Sequence, residues 1–545
     1  MKFLKKLTIA ILAITASAGC KKLDIAPTDS YSILNFWKSS ANVYNALNNN
    51  YGLILNSSLY FNAEGLSDNA YSQNTSDLIL IASGNANAQT AKFAGDWAFY
   101  YRTIKSCNEF LANVDQNKSL DAATLNRVKA ETRFIRAYED FNLTKWYGDI
   151  PLVNNDISED QAKTIARTPK ADVVKFILSE LNAIIPSLPS KDQMPASENG
   201  RISKGAALAL EARVLLYQGN RMADVVAVCQ QLMTNQTANG TYSLNPSYSA
   251  LFNDPATNKS NPETILSLQY VPATRTWQDY WDFAPRSVGG RVNALAPTQE
   301  LVNDYIMTNG KPITDPASGY DETNPYVNRD PRLDATIVYD KYFWDNKGSI
   351  NGPSKTIYIK PGTDPDPSAP DEYSKTSQSS SPTAYYWRKY FDPSALANYV
   401  SGNNLYLFRY AEILLDYAEA KNSLGQFDAT VWNQTIGALR ARAGFTDPNA
   451  LNFPGSGADL TGIIRRERRV EFALEGLRID DIRRWKTAET VLNGFAHGAK
   501  FGDPSVDNGY IRVQQRHFSA SRDYLWAIPA GDLPLDKNLT QNPGY

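Results

Sequence analysis

The chain has 545 residues, 43% of them hydrophobic and 21% charged, enough length and apolar content to bury a large core and to exclude global disorder. Its 55 Lys+Arg stand against 57 Asp+Glu, with both signs spread along the chain, so no whole-protein field draws it to nucleic acid or acidic lipid. Half of its aromatic residues are tyrosine, 31 beside 21 Phe and 10 Trp, and a flat apolar face with a polar tip suits recognition at a surface.

Lys2, Lys5 and Lys6 precede an apolar run from Leu7 that ends in the small residues Ser17, Ala18 and Gly19 before Cys20. The pattern is an export signal, shorter than the roughly 20 apolar residues that a membrane span requires. A cysteine directly after Ala-Gly resembles the lipobox of bacterial lipoproteins, which makes Cys20 the expected acylated first residue of the mature protein. Ser17 occupies a position where Leu or Val is usual, and plain secretion is the alternative. Removing residues 1–19 leaves 52 basic against 57 acidic side chains. Cys107 and Cys229 sit in apolar helical contexts and read as buried, inert thiols.

Helical periodicity dominates the first half. Over residues 120–147, Leu125, Val128, Ile135 and Tyr138 share one face, Asp121 can cap the start, and Gly148 with Pro151 supplies the stop. A similar stripe at Leu208, Ala212 and Leu215 ends at Gly219, and a second helical run follows over 222–233. The pattern returns at Leu407, Ala411, Leu414 and Ala418, ending at Gly425, with Asp428 as cap and Trp432, Ile436, Leu439 and Ala443 on the next helix. Such loose tetratricopeptide-type pairs cannot bury their apolar faces alone, so further pairs are predicted at 96–114 with 121–147 and at 171–185 with 203–217. An ordinary helical bundle is the alternative. Residues 57–95 and 236–400 are rich in Asn, Ser, Gly, Pro, Asp and aromatics with little helical period, and 264–270, 336–339 and 356–360 could be short strands. Loops this long on a helical scaffold are where function concentrates.

Several segments in order resemble the SusD/RagB family of bacterial outer-membrane nutrient-binding lipoproteins. They include Cys20-Lys21-Lys22-Leu23-Asp24, Arg133-Phe134-Ile135-Arg136-Ala137-Tyr138 running to Gly148-Asp149-Ile150-Pro151, and Asn261-Pro262-Glu263-Thr264-Ile265. Arg329-Asp330-Pro331-Arg332, Arg409-Tyr410-Ala411-Glu412, Arg466-Glu467-Arg468-Arg469 and the closing Asn538 to Tyr545 complete the match. The resemblance implies an all-α fold of tetratricopeptide-like helix pairs, an α-α superhelix, with long loop-rich insertions and a few short strands. It also implies a signal peptide at 1–19, an N-terminal SusD-like region at 20–235 and a C-terminal RagB/SusD region at 260–545, packed as one unit. Function and partners follow from the family: capture of oligosaccharide or polysaccharide outside the cell, and delivery to a SusC-like TonB-dependent transporter. Lys21 and Lys22 depart from the acidic residues that many surface-displayed members carry behind the cysteine, so the outward-facing, lipid-anchored location rests on the family.

A glycan site needs aromatic platforms for C–H faces and amides or carboxylates for hydroxyls. The best such cluster is Trp277, Gln278, Asp279, Tyr280, Trp281 and Asp282, with the two tryptophans stacking and the polar side chains bonding hydroxyls. The resemblance adds the loop after the first helix, here Asp68, Asn69 and Tyr71; anchoring of an irregular loop to the core is the competing role for all of these rings. Trp97 and Trp146, on helices, read as core. Arg465, Arg466, Arg468 and Arg469 alternate with Glu467, Glu471 and Glu475 and read as an ion-paired helix face, not a nucleic-acid site. Asp364, Asp366, Asp371 and Glu372 could cage calcium, but their prolines favour a solvated loop, and no metal or other cofactor is expected. His497 and His517 are the only histidines, and no Gly-x-Ser-x-Gly or P-loop spacing occurs. The leading expectation is therefore a binding protein, not an enzyme; a lipid-anchored glycosidase and a ligand-free interaction scaffold are the alternatives.

Overall fold

The computed structural model describes residues 33–73, 76–375 and 380–545; the expected signal peptide and Cys20 lie outside these residues. Asp121 caps the Ala122–Tyr147 helix by accepting the Thr124 N–H at 2.8 Å, and Gly148 ends it at φ 76°. The Ala91–Asn113 helix packs on Ala122–Tyr147, which packs on Lys170–Ile184. Lys204–Gln218 packs on Met222–Thr234, which packs on Tyr410–Ser423, and that helix in turn meets Leu460–Glu471. Lys204–Gln218 also touches Lys170–Ile184, so the pairs form one stacked array whose apolar faces merge into a core running from Ile54 to Ile528. Gly219 at φ 73° and Gly425 at φ 67° turn the chain between paired helices, as the repeated Ala-to-Gly spacing predicts.

Three expectations need correction. The stripe beginning at Leu407 is not helical at its start: Leu405–Arg409 is a strand buried at all five positions, paired antiparallel with Thr264–Leu268. A continuous run of apolar residues buried on both sides carries no period that separates strand from helix. The helix after Asp428 is broken at Thr435 (φ −123°, ψ −92°) into Ala429–Gln434 and Ile436–Ala443. The loop-rich regions also hold short helices, among them Ser57–Asn62, Ser76–Ala82 and Gln299–Asp304, each too short to display a stripe. Strands overlap all three predicted runs, the third only at residues 356–357, and among the described residues every strand belongs to a two-stranded antiparallel piece.

The arginine-rich Leu460–Glu471 helix is ion-paired, but largely in the interior and to other elements. Buried Arg332 reaches Asp330, Glu467 and Glu471 at 2.7, 2.6 and 3.0 Å. Arg409 reaches Glu263, Glu471 and Glu475 at 2.8, 2.6 and 2.8 Å. Burial pushes the Glu471 carboxyl up, yet Arg442, Arg409 and Arg332 together hold it well below the usual carboxylate range. The last residues close on the first helices. Trp526 stacks on Trp146 at 4.1 Å and on Phe93 at 5.0 Å. Asn542 donates to the Tyr147 and Trp526 carbonyls at 2.8 and 2.7 Å while accepting from Arg167 at 2.5 Å. Trp97, Trp146, Cys107 and Cys229 are buried.

Candidate functional site

The segment from Trp277 to Asp282 is pinned at its start, where Trp277 exchanges backbone hydrogen bonds with Ser401 at 3.0 and 2.8 Å. That pairing turns the Trp277 indole inward. It is 4% exposed, its Nε1 donates to the Asn403 carbonyl at 2.7 Å, and its ring lies 5.2 Å from Phe61. Tyr280, 1% exposed, donates to the Trp387 carbonyl at 2.6 Å. The expected platforms at Trp277 and Tyr280 are thus taken up by core packing, because each ring and each polar tip already has an internal partner.

Trp281 is placed differently. It is half-buried against the core, and the Arg291 guanidinium sits 4.5 Å from its ring centroid. Arg291 is fixed in turn by a two-point pair with Asp282 at 2.8 and 2.6 Å. Gln278 is exposed. Asp279 accepts from the Ser58 hydroxyl at 3.0 Å; burial raises its carboxyl, and the Ser57 and Ser58 hydroxyls draw it back down.

The second predicted segment divides in the same way. Asp68 is buried in a two-point pair with Arg478 at 2.7 and 2.8 Å and lies 3.0 Å from Arg469. Burial raises that carboxyl, but Arg469 and Arg478 hold it far below the usual range. Asn69 is fully buried, donating to Glu64 at 2.9 Å and accepting from Arg469 at 2.8 Å. Both serve to tie the arginine-rich helix to this loop and have no free face for a ligand. Tyr71 is half-buried on the strand Ala70–Ser72, opposite Ala296. The two segments meet at one residue: the Ala294 N–H donates to the Asp282 carbonyl at 2.9 Å and its carbonyl accepts from the Gln73 N–H at 3.1 Å. Of the predicted residues, Gln278 is exposed, and Tyr71, Trp281 and Asp282 are half-buried.

Arg291 and Ser58 escaped the sequence reading. The signal for Arg291 was the preceding Gly289-Gly290: a Cβ on Gly289 (φ +102°) would lie 2.0 Å from the Asn351 carbonyl oxygen, so only glycine returns the chain to the indole here. The acidic stretch forms no cage. The Glu372 carboxylate accepts the N–H groups of Gly362, Thr363 and Asp364, and buried Asp371 accepts from the Ser287 N–H at 3.2 Å. Among the described residues no group of three or more His, Cys, Asp or Glu is placed to hold a metal ion.

A stacked helical-repeat scaffold carrying long inserted loops is the class that the fold defines. The chain belongs to the SusD family, whose profile matches residues 235–545; residues 21–216 match a second family described as starch-binding associating with outer membrane. SusD-like protein P2 of Formosa agariphila is 25% identical over 99% of each chain. A SusD-like protein of Bacteroides ovatus is 24% identical over 89% of this chain and 83% of its own. The crystal structure of a SusD-like carbohydrate binding protein from Bacteroides fragilis superposes with a TM-score of 0.81 at 29% identity, covering 93% of this chain and 100% of that one.

Proposed function

We propose that this protein is a non-catalytic carbohydrate-binding lipoprotein. In this reading it is exported by residues 1–19 and anchored through Cys20 in the outer membrane, facing the cell exterior. It captures oligosaccharide on its loops and passes it to a SusC-like TonB-dependent transporter. The observation that carries the reading is the Trp281 indole, half-buried and braced by Arg291, beside the open amide of Gln278 and the carboxylate of Asp282. In this reading the exposed part of the Trp281 ring meets sugar C–H groups, and the exposed Gln278 amide suits hydroxyls. The similar structure from Bacteroides fragilis, that of a SusD-like carbohydrate binding protein, supports the same assignment.

Calorimetry against a glycan panel tests it. At least one oligosaccharide should bind, and Trp281→Ala should weaken that binding about tenfold, roughly 1.4 kcal/mol, with the far-ultraviolet circular dichroism of the folded protein retained. Binding that is indifferent to this substitution overturns the site. Prolonged incubation should leave the oligosaccharide intact; products lost on a single Asp or Glu substitution would instead mark a glycosidase. Acyl labelling that disappears in Cys20→Ser checks the anchor, and co-purification with the transporter checks delivery.

A further inference from the structure

Beside the Trp281 loop, two adjoining hollows of ≈ 730 and ≈ 1070 Å³ form one polar cleft, sharing Asn199, Gly200, Arg201, Leu266, Ser267 and Gln269 as common wall. It runs between the Ser40–Gly52 helix, residues 191–204 and the Thr264–Leu268 strand. Its mouth adjoins the loop site: Arg275 lies against the Tyr270 ring at 5.3 Å, and Tyr270 and Asp279 both hydrogen-bond Ser57.

Four cations line this cleft, and their bonding is unusual. Arg201 pairs with Glu131 at 3.3 Å. Lys191 points its Nζ at the carbonyls of Asn261 and Thr264, at 3.3 and 3.2 Å. Lys259 points its Nζ at the carbonyls of Tyr270 and Gly402, both at 2.5 Å, and at Asn404 Oδ1 at 2.6 Å. Among the described residues none of Lys191, Lys259 and Arg275 is ion-paired to a carboxylate. The cleft's own acids are engaged elsewhere: Asp192 accepts the N–H and hydroxyl of Thr241 at 2.9 and 2.8 Å, and Glu198 pairs with Arg127 at 2.5 Å. Burial lowers the Lys259 ammonium to about 8, and Asp392 only partly offsets this. Lys191 and Lys259 are partly desolvated and have only the unpaired charges of Asp192 and Asp392 to balance them, so an entering anion gains from both ammonium groups. Arg275 and Lys191 have N–H donors to spare, whereas Lys259 acts through its field.

We propose that this cleft is a second subsite and takes an anionic sugar, with carboxylate or sulfate oxygens set against Lys191, Arg275 and the field of Lys259 and hydroxyls against the wall amides and hydroxyls. The inference rests on the carbohydrate reading and names the substrate class. It is tested by calorimetry on the full protein with an oligogalacturonide, a sulfated galacto-oligosaccharide and a neutral galacto-oligosaccharide of equal length. One acidic probe should bind at least about tenfold more tightly than the neutral one, and the preference should shrink as salt is raised from about 0.05 to 0.5 M. The double substitution Lys191→Met with Arg275→Gln should abolish the preference while leaving Trp281-dependent binding of the neutral probe intact. The Lys259 Cε signal in NMR titrations should report an ammonium pKa raised by about one unit in the complex. Equal binding of acidic and neutral probes, or a preference that survives the double substitution, overturns the cleft and leaves the loop site standing. Charge preference and Lys259 shift retained where Trp281→Ala changes nothing would support the cleft and remove the loop site instead.

Discussion

Trp277 and Trp281 lie four residues apart and meet opposite surroundings. Trp277→Ala removes a buried indole and strands the Asn403 carbonyl, so thermal melts should show a loss of about 3–5 kcal/mol, while Trp281→Ala, which removes a half-buried ring, should cost clearly less. Their residue type is the same, and what separates them is the Asn403 carbonyl, 126 positions away in sequence; no local pattern carries that information. Asp140 is a second residue whose role depends on its surroundings. It is fully buried with neither carboxylate oxygen hydrogen-bonded. Burial pushes its carboxyl up to about 7, against Arg136 and with Glu180. The unfolded chain therefore ionises at this position near pH 4, before the folded one does, and the folded state loses relative stability between about pH 4 and 7. Asp140→Asn should raise the melting temperature at pH 8 and leave it nearly unchanged at pH 3; an equal effect at both would refute this account.

At the scale of elements, the long helices were legible because cap, stripe and stop agreed, as in Asp121, the apolar face and Gly148. The Leu405–Arg409 strand was not, since its run of buried residues fits a helix stripe equally well until Thr264–Leu268 pairs with it. The turn glycines make a clean test of local conformation. A Cβ at Gly219 or Gly425 meets nothing within 4 Å, yet both residues have positive φ. Alanine at either position should thus cost roughly 1–2 kcal/mol through backbone strain alone, measured by denaturant unfolding. A loss well above that would point to a packing role.

Across the whole molecule, the arginine–glutamate network joins segments far apart in the chain. Arg409 bridges Glu263, Glu471 and Glu475, which it shares with Arg442, Arg332 and Lys389. The sequence showed alternating charge on one helix and suggested pairing within it, because partners on distant segments leave no periodic trace. Arg409→Met should cost about 3–5 kcal/mol, since it leaves three buried carboxylates only Arg442, Arg332 and Lys389, and Arg332 is shared with Asp330 and Glu467; an unchanged unfolding midpoint would refute this. The candidate site was legible as a region and not as a residue set, for the same reason: which rings turn outward depends on contacts that close over hundreds of positions.

The Asn542 latch and the Trp526 stack on Trp146 bear on the order of events during synthesis. Helices made early leave an unfilled gap until the last residues emerge from the ribosome, so a nascent chain stays incompletely closed for nearly the whole of translation. Under the export proposed above, such a delay would keep the chain pliable until it has been threaded through a narrow channel. A nonsense change a few codons before the end should consequently yield material that proteases clear, not a slightly shortened binder.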